Sequence, residues 1–167
     1  MNQHLERLQG LDPKVAQNAE LMIRACEHEL GRLLLVTQGW RSLDEQRLIY
    51  QQGRAVNRET GEWEIVDKTK IVTKAKPGTS PHNVVDQDGK PASLAFDVIP
   101  FHTEDGSIDW NPGMTFWAGV YTIAWECSLD PLGDPIGAYY PADKGHFEEP
   151  EWKAKMTALG YLLPSVI

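Results

Sequence analysis

One residue that could take part in metal binding or catalysis is an aspartate in the middle of an apolar run. Asp97 lies in the stretch LAFDVI, residues 94–99, in which every other side chain is apolar. Such a run predicts a buried strand, and a carboxylate in the protein interior is costly unless a partner neutralises it. A metal ion is one partner that would do so.

Two of the five histidines lie beside motifs that contain carboxylates and could bind a metal ion together with Asp97. His82 follows Ser80 and Pro81, and His146 lies in GHFEEP, three positions after Asp143. A turn in DKGH would bring Asp143 and His146 to one cavity. The other three lie in a chain end, on a charged helix surface and beside a turn, where histidines are rarely ligands: His4, His28 and His102.

The elements that must position these residues begin with a helix, a strand and a second helix. Asp12 and Pro13 open a helix with apolar residues at helical spacing, and Gly31 ends it. RLLLVTQ, residues 32–38, predicts a buried strand. The stretch 42–53 predicts a helix that starts with a capping box of Ser42 and Glu45 and stops at Gly53.

The second half of the chain supplies one strand and two more helices. Residues 54–78 are polar, and NRETGEWE within them is compatible with either a short hairpin or an exposed loop. A strand near residues 94–99 is followed by a turn-rich segment and by MTFWAGVYTIAWECS, which predicts a central helix buried on most of its surface. The final helix lies in PEWKAKMTALG, and we expect one domain spanning residues 1–167.

Composition excludes several classes of protein. The chain has 167 residues with 16 Lys and Arg against 24 Asp and Glu, a formal net charge of −8, which argues against a nucleic-acid binder. The longest aliphatic run, Leu33–Val36, is far shorter than the roughly 20 residues that span a bilayer. Two cysteines outside any Cys-x-x-Cys pair predict buried free thiols, and the N-terminal residues do not have the pattern of a secretory signal peptide.

The combined pattern resembles a known family of zinc peptidases. Ser80-x-His82, Ala95-x-Asp97 and Asp143-x-x-His146-Phe147-Glu148 are similar to the motifs of D,D-carboxypeptidases, D-Ala-D-Ala dipeptidases and phage L-alanyl-D-glutamate endopeptidases. GWRSLDEQRLIYQQGR adds to the resemblance, since endopeptidase members also place an Arg after the first strand and a Glu-Gln pair at the opening of the next helix. The similarity extends from about Leu33 to Trp152.

The resemblance implies an α+β fold in which a small antiparallel sheet carries the zinc site and helices flank it, as in Hedgehog and D,D-peptidase structures. It implies zinc ligation by His82, Asp97 and His146. Independently, two imidazoles and one carboxylate are the ligand set of a catalytic zinc, which keeps a fourth position for water. The alternatives are structural: Asp97 paired with a buried Arg, His82 satisfied in a loop, and His146 donating to a backbone carbonyl.

Three further residues receive roles through the resemblance. Asp143 would be the general base that deprotonates the attacking water and then protonates the departing amine. Arg41 would bind a substrate carboxylate or stabilise the tetrahedral oxyanion. Ser80 would assist through a hydrogen bond.

The spacing of the first two ligands departs from the family. His82 and Asp97 are 15 positions apart, where family members usually have seven, and Val85 stands at the position of a family Gly. We expect an eight-residue insertion, Asp86 to Ser93, that forms an exposed turn, because surface loops tolerate added length. DQDG within it is also compatible with a calcium loop, although the other ligand positions of that motif are missing.

The expected activity is hydrolysis of the L-Ala-D-Glu bond in the stem peptide of peptidoglycan. We expect a monomeric, antimicrobial endolysin of a bacteriophage, which stays in the host cytoplasm until a holin opens the way to the cell wall for host lysis. A D,D-carboxypeptidase or D-Ala-D-Ala dipeptidase is the alternative within the family. A non-catalytic, zinc-stabilised wall-binding module is the alternative of another class.

Overall fold

Four helices and six strands are described in the computed structural model, which covers residues 6–102, 105–132 and 144–165. The helices are α1 (Pro13–Leu30), α2 (Leu43–Gln51), α3 (Met114–Glu126) and α4 (Trp152–Leu159). The strands are β1 (Leu33–Gln38), β2 (Arg54–Val56), β3 (Trp63–Ile65), β4 (Ala95–Phe101), β5 (Asp130–Pro131) and β6 (His146–Glu148). Short 3-10 helices occupy Arg7–Gly10, Lys68–Lys70 and Pro81–Asn83.

The predicted helix starts are confirmed by their capping contacts. The Asp12 carboxylate accepts from the backbone nitrogens of Lys14 and Val15 at 2.9 and 3.2 Å, which satisfies two donors that a helix start leaves free. Ser42 and Glu45 form the predicted capping box at the start of α2. This helix ends at Gln51, slightly before the predicted stop at Gly53.

A four-stranded antiparallel sheet in the order β1-β4-β6-β5 forms the centre of the fold. Alternate residues of β4 face opposite sides, so Phe96 and Val98 enter the hydrophobic core while Asp97 does not. Phe147 of β6 stacks on Phe96 with ring centroids 5.6 Å apart. The mixed architecture confirms the predicted α+β class.

Helices α1 and α3 share this core with the sheet and complete it. The buried residues of α1 and α3 belong to the same cluster as those of β1, β4 and β6. Trp117, Val120, Tyr121, Ile123 and Ala124 are buried in α3. The helix is buried along one side and not on most of its surface as predicted, because its other side is exposed at Met114, Thr115, Thr122, Trp125 and Glu126. Both cysteines are free; Cys26 is buried and Cys127 half-buried.

The segment that sequence alone left open forms a hairpin and one wall of a cleft. Strands β2 and β3 pair antiparallel, so the hairpin interpretation of NRETGEWE is correct. The chain after the hairpin runs past β2 and α2, where Arg54 donates to the carbonyl of Thr73 at 2.9 Å and Gln46 donates to the carbonyl of Ala75 at 2.8 Å. These two bonds attach residues 71–75 to the body of the protein.

The predicted exposed turn at Asp86 to Ser93 is correct only for its first part. Asp86 closes the turn by accepting from the backbone nitrogens of Asp88 and Lys90 at 2.9 and 2.8 Å. Ala92 and Ser93 are buried, however, because the backbone of Ser93 bonds to Gly10 and Asp12 on either side. The end of the segment is therefore part of the core boundary and not a free surface loop.

None of the described helices is long and apolar enough to cross a membrane.

Candidate metal centre and its cleft

His82, Asp97 and His146 come together at one end of the sheet. One donor atom of each lies within 4.8 Å of the others. His82 Nε2 and His146 Nδ1 are 3.3 Å apart, and the two nitrogens lie 3.3 and 2.8 Å from Asp97 Oδ1. Ligands about 2.0–2.2 Å from a tetrahedral zinc are separated by roughly 3.3–3.5 Å. The three donors suit this ion in chemistry, and the two separations of 3.3 Å match its geometry, while the 2.8 Å between His146 and Asp97 would have to widen by about 0.5 Å.

Strand pairing places two of the three candidate ligands. Asp97 of β4 lies directly opposite His146 of β6, and opposite residues of paired strands point to the same face. Gly145 allows the approach, because a Cβ at this position would collide with the carbonyl oxygen of Val98. The backbone nitrogen of Val98 donates to the Gly145 carbonyl at 2.9 Å.

The third candidate ligand, His82, comes from the short 3-10 helix after Ser80. The Ser80 hydroxyl accepts from the backbone nitrogen of His82 at 3.3 Å, and Pro81 suits the first helical position. The backbone carbonyl of His82 also accepts a hydrogen bond from the backbone nitrogen of Arg41 at 2.9 Å. Ser80 is buried and caps this turn, so its hydroxyl holds the backbone of His82 in place.

The His82 ring is oriented by the backbone of Gly39. His82 Nδ1 lies 2.7 Å from the Gly39 carbonyl oxygen, and a carbonyl can only accept, so Nδ1 carries the hydrogen. The free lone pair of neutral His82 is then on Nε2, which faces the cluster. Gly39 itself packs so tightly that an added Cβ would collide with the carbonyl oxygen of Arg7.

Arg41 lies beside the cluster, with 12% of its side chain exposed. Its guanidinium donates to Asp97 Oδ2 at 3.4 Å and to the Gln46 side-chain oxygen at 3.0 Å. Asp97 is therefore paired with an arginine, as the structural alternative required, but its other oxygen contacts both histidines. The Gln46 amide extends the chain of contacts to Ala75 on the cleft wall.

The acidic and basic groups of the cluster stabilise the charged forms of one another. Burial of Asp97 opposes ionisation, yet His82 and His146 more than offset this and hold the pKa of its carboxyl well below the usual range. Burial likewise opposes protonation of His146, but hydrogen bonds to Asp97 and Glu148 raise its pKa to about 9. Asp130, opposite Glu148 on β5, has a raised pKa because of partial burial and the nearby Glu148 charge.

The cluster opens into a cleft of about 800 Å³. One wall is the segment 71–75, which includes Lys74, and another includes Ile108 and Trp110. Trp110 is 79% exposed, so a large aromatic surface is available to a ligand. The cleft therefore combines a metal-ligand set with cationic and apolar surfaces of a size suited to a peptide.

Five of the six residues singled out in the sequence line this cleft: Arg41, Ser80, His82, Asp97 and His146. The sixth, Asp143, lies outside the described residues, so its role as a base stays a prediction. Sequence reasoning missed Gln46 as a partner of Arg41 and Gly39 as a partner of His82. For Gln46 a signal existed, since an amide on the buried side of a helix needs a polar partner.

A curated protein is similar to this chain in sequence. The chain is 32% identical over 131 residues to the peptidoglycan L-alanyl-D-glutamate endopeptidase CwlK of Bacillus subtilis (strain 168), which covers 74% of this chain. The aligned region spans 66% of the length of that relative. No family model matches the chain.

Solved structures of peptidoglycan enzymes share the fold. The Serratia marcescens L-Ala D-Glu endopeptidase ChiX has a TM-score of 0.52 and 18% identity, over 87% of this chain and 85% of its own. The vancomycin-resistance D,D-pentapeptidase VanY, solved with Zn(II), has a TM-score of 0.53 and 16% identity, over 92% and 81%. The LD-carboxypeptidase LdcB has a TM-score of 0.53 and 19% identity, over 90% and 64%.

Fold and site define a peptidase-like α+β domain with a His-Asp-His centre at the end of its sheet. Together with the sequence relative, they show that the chain belongs to the zinc D,D-carboxypeptidase and L-alanyl-D-glutamate endopeptidase family.

Proposed function

We propose that this protein is a zinc-dependent peptidoglycan peptidase that cleaves the L-Ala-D-Glu bond of the stem peptide. The observation that carries the proposal is the His82, Asp97 and His146 cluster at the floor of a cleft. The sequence relative and one of the structural relatives are named for this bond. The same site with a different cleft would serve a carboxypeptidase, so the bond must be tested directly.

The chain's own residues would prepare the reaction in separate ways. A zinc ion bound by the three ligands would polarise the scissile carbonyl and lower the pKa of a water molecule from 15.7 to about 7. Arg41 holds Asp97 Oδ2, so the carboxylate keeps Oδ1 directed at the cluster. Arg41 also lines the cleft, where its remaining donors are available to a substrate carboxylate or a developing oxyanion.

Proton transfer is assigned to Asp143, on the basis of its position three residues before His146. The reaction needs a group that accepts a proton from water and returns it to the departing amine of D-Glu. A carboxylate beside the ligand set would perform both steps. A wall-binding module would cleave no bond and would need no such base. Peptide hydrolysis that is lost on substitution of Asp143 would therefore distinguish an enzyme from a binding module.

Digestion of purified Gram-negative peptidoglycan tests the bond. Mass spectrometry should find new N-terminal D-Glu on the released peptides and glycan strands that keep L-Ala on the lactyl group. Release of free D-Ala alone would assign the protein to the carboxypeptidase branch. New reducing sugar ends would contradict a peptidase activity altogether.

We further propose that the protein is a bacteriophage endolysin that remains in the host cytoplasm until a holin admits it to the wall. Gram-negative cells expressing the protein should then stay intact until the inner membrane is permeabilised and lyse rapidly afterwards. Cells expressing the His82→Ala variant should remain intact under the same treatment. Lysis without permeabilisation would contradict this localisation.

A further inference from the structure

Glu148 lies two residues after His146 on β6 and contacts its ring from the side away from the cluster. The Glu148 Oε2 oxygen is 3.1 Å from His146 Nε2, while His146 Nδ1 lies 2.8 Å from Asp97 Oδ1. Each nitrogen of this ring therefore has its own carboxylate. The Glu148 side chain is only 15% exposed, which favours a fixed contact.

The strand geometry explains why Glu148 reaches this ring. Side chains two positions apart on a strand point to the same face, so Glu148 and His146 lie side by side. Phe147 between them points the opposite way, is fully buried and stacks on Phe96. The core thus fixes the strand that carries both residues, and pairing of Glu148 with Ala95 sets its register.

We infer that Glu148 is a positioning residue, which holds the hydrogen of His146 on Nε2 and thereby presents the Nδ1 lone pair to the metal ion. An ionised carboxylate only accepts hydrogen bonds, so the facing Nε2 carries the hydrogen. Asp97 Oδ1, 2.8 Å from Nδ1, also only accepts, so in the metal-free protein Nδ1 carries a hydrogen as well. A metal ion bound at the cluster would displace that proton to solvent, and the ring would then keep its lone pair on Nδ1 and its hydrogen on Nε2. Partners of this kind orient ligating histidines and increase their basicity.

The two histidines would consequently use different nitrogens, held by acceptors of different charge. His82 presents Nε2 because the neutral carbonyl of Gly39 holds its Nδ1 hydrogen. His146 presents Nδ1 because the anionic Glu148 holds its Nε2 hydrogen.

The inference rests on the proposed zinc site, and zinc affinity tests it without reference to peptidoglycan cleavage. Glu148→Ala in the full chain should weaken zinc binding about 10- to 100-fold, measured by competition with a chromophoric chelator. Glu148→Gln should recover most of this loss, because its side-chain oxygen still accepts a hydrogen bond. Cobalt substituted for zinc should give an absorption spectrum that changes in Glu148→Ala and is nearly unchanged in Glu148→Gln.

Glu149→Ala is the matched control. Glu149 is the neighbouring carboxylate, but it pairs with Lys155 at 3.3 Å and does not line the cleft. Its substitution should leave zinc affinity and the cobalt spectrum as in the unmodified protein. If Glu148→Ala loses its fold, circular dichroism will show it. Glu148→Gln, which preserves the shape of the side chain, then gives the decisive comparison.

The results separate this inference from the proposed function. Unmodified protein that fails to bind zinc would overturn the proposed function. Zinc binding that is unaffected by Glu148→Ala would overturn the positioning role alone. Unchanged zinc affinity and spectrum in both Glu148 variants, together with a large fall in kcat, would also overturn it, because Glu148 would then act in proton transfer and not in positioning His146.

Discussion

Gly39 offers a direct test of how the His82 ring is held. A Cβ at this position would lie inside the contact distance of the Arg7 carbonyl oxygen, 3.3 Å from the Arg7 carbonyl carbon and 3.5 Å from Leu11 Cδ2. Removing such an overlap requires a backbone shift on the order of 1 Å. The same shift would move the carbonyl that bonds to His82 Nδ1, now at 2.7 Å, to a distance at which a hydrogen bond no longer forms.

We therefore expect Gly39→Ala to reduce both stability and metal affinity. Overpacking of this kind costs roughly 1–3 kcal/mol of unfolding free energy, and loss of the partner of a ligating histidine costs about 10- to 100-fold in affinity. Urea denaturation of the metal-free protein measures the first effect, and chelator competition measures the second. Both measurements use the same purified variant.

Gly113→Ala is the control, because a Cβ there has no neighbour within 4 Å among the described residues and the backbone has a φ of −59°. It should change the unfolding free energy by less than about 1 kcal/mol and leave zinc affinity unaltered. If Gly39→Ala folds as stably as the unmodified protein and binds zinc equally well, the close approach to Arg7 does not position His82.

Four other outcomes follow from the site and the fold. Purified protein should contain about one zinc per chain, and His82→Ala should hold less than half an equivalent by elemental analysis; full retention would exclude His82 as a ligand. Asp143→Asn should keep its zinc but lose about 100- to 10,000-fold in peptide hydrolysis, whereas loss of the metal would make Asp143 a ligand. Shortening the turn within residues 86–90 should preserve zinc content, since the turn lies outside the cluster; a metal-free product would show that the turn positions the ligands. Phe147→Ala should lower the unfolding free energy, measured by urea denaturation, by about 3–5 kcal/mol; a much smaller loss of free energy would contradict its place in the core.

The meeting of His82, Asp97 and His146 could be predicted because residue type and order carried the information, and their role as metal ligands stays a prediction. A carboxylate inside an apolar strand requires a partner, and His82 and His146 lie in the order of the family motifs. The same reasoning gave the strand of Asp97 and the capped helices, because caps and apolar spacing are local signals. None of these predictions needed knowledge of which strands pair.

The remaining features depend on contacts between distant parts of the chain. Ser93 is buried because its backbone pairs with Gly10 and Asp12, and nothing within DQDGKPAS indicates this. Gly39 is constrained by Arg7, another remote contact. The segment 71–75 becomes a cleft wall through bonds to Gln46 and Arg54. Such pairings are set by the tertiary fold, so a local pattern could not reveal them.

The distribution of the three ligands along the chain has a consequence for folding. Asp97 and His146 are 49 positions apart, and β6, which carries His146, has three residues, while its outer neighbour β5 has two. A metal ion held by both residues would act as a removable cross-link that closes a long loop in the folded chain. The unfolded chain would have to close this loop, at a cost in conformational entropy, before it could bind the ion in the same way. At a free-ion concentration a thousand times the dissociation constant, such binding adds about 4 kcal/mol to stability. The thermal stability of the protein would then depend on the zinc concentration of its surroundings, and the short strand β6, which carries His146, would gain the most from the ion.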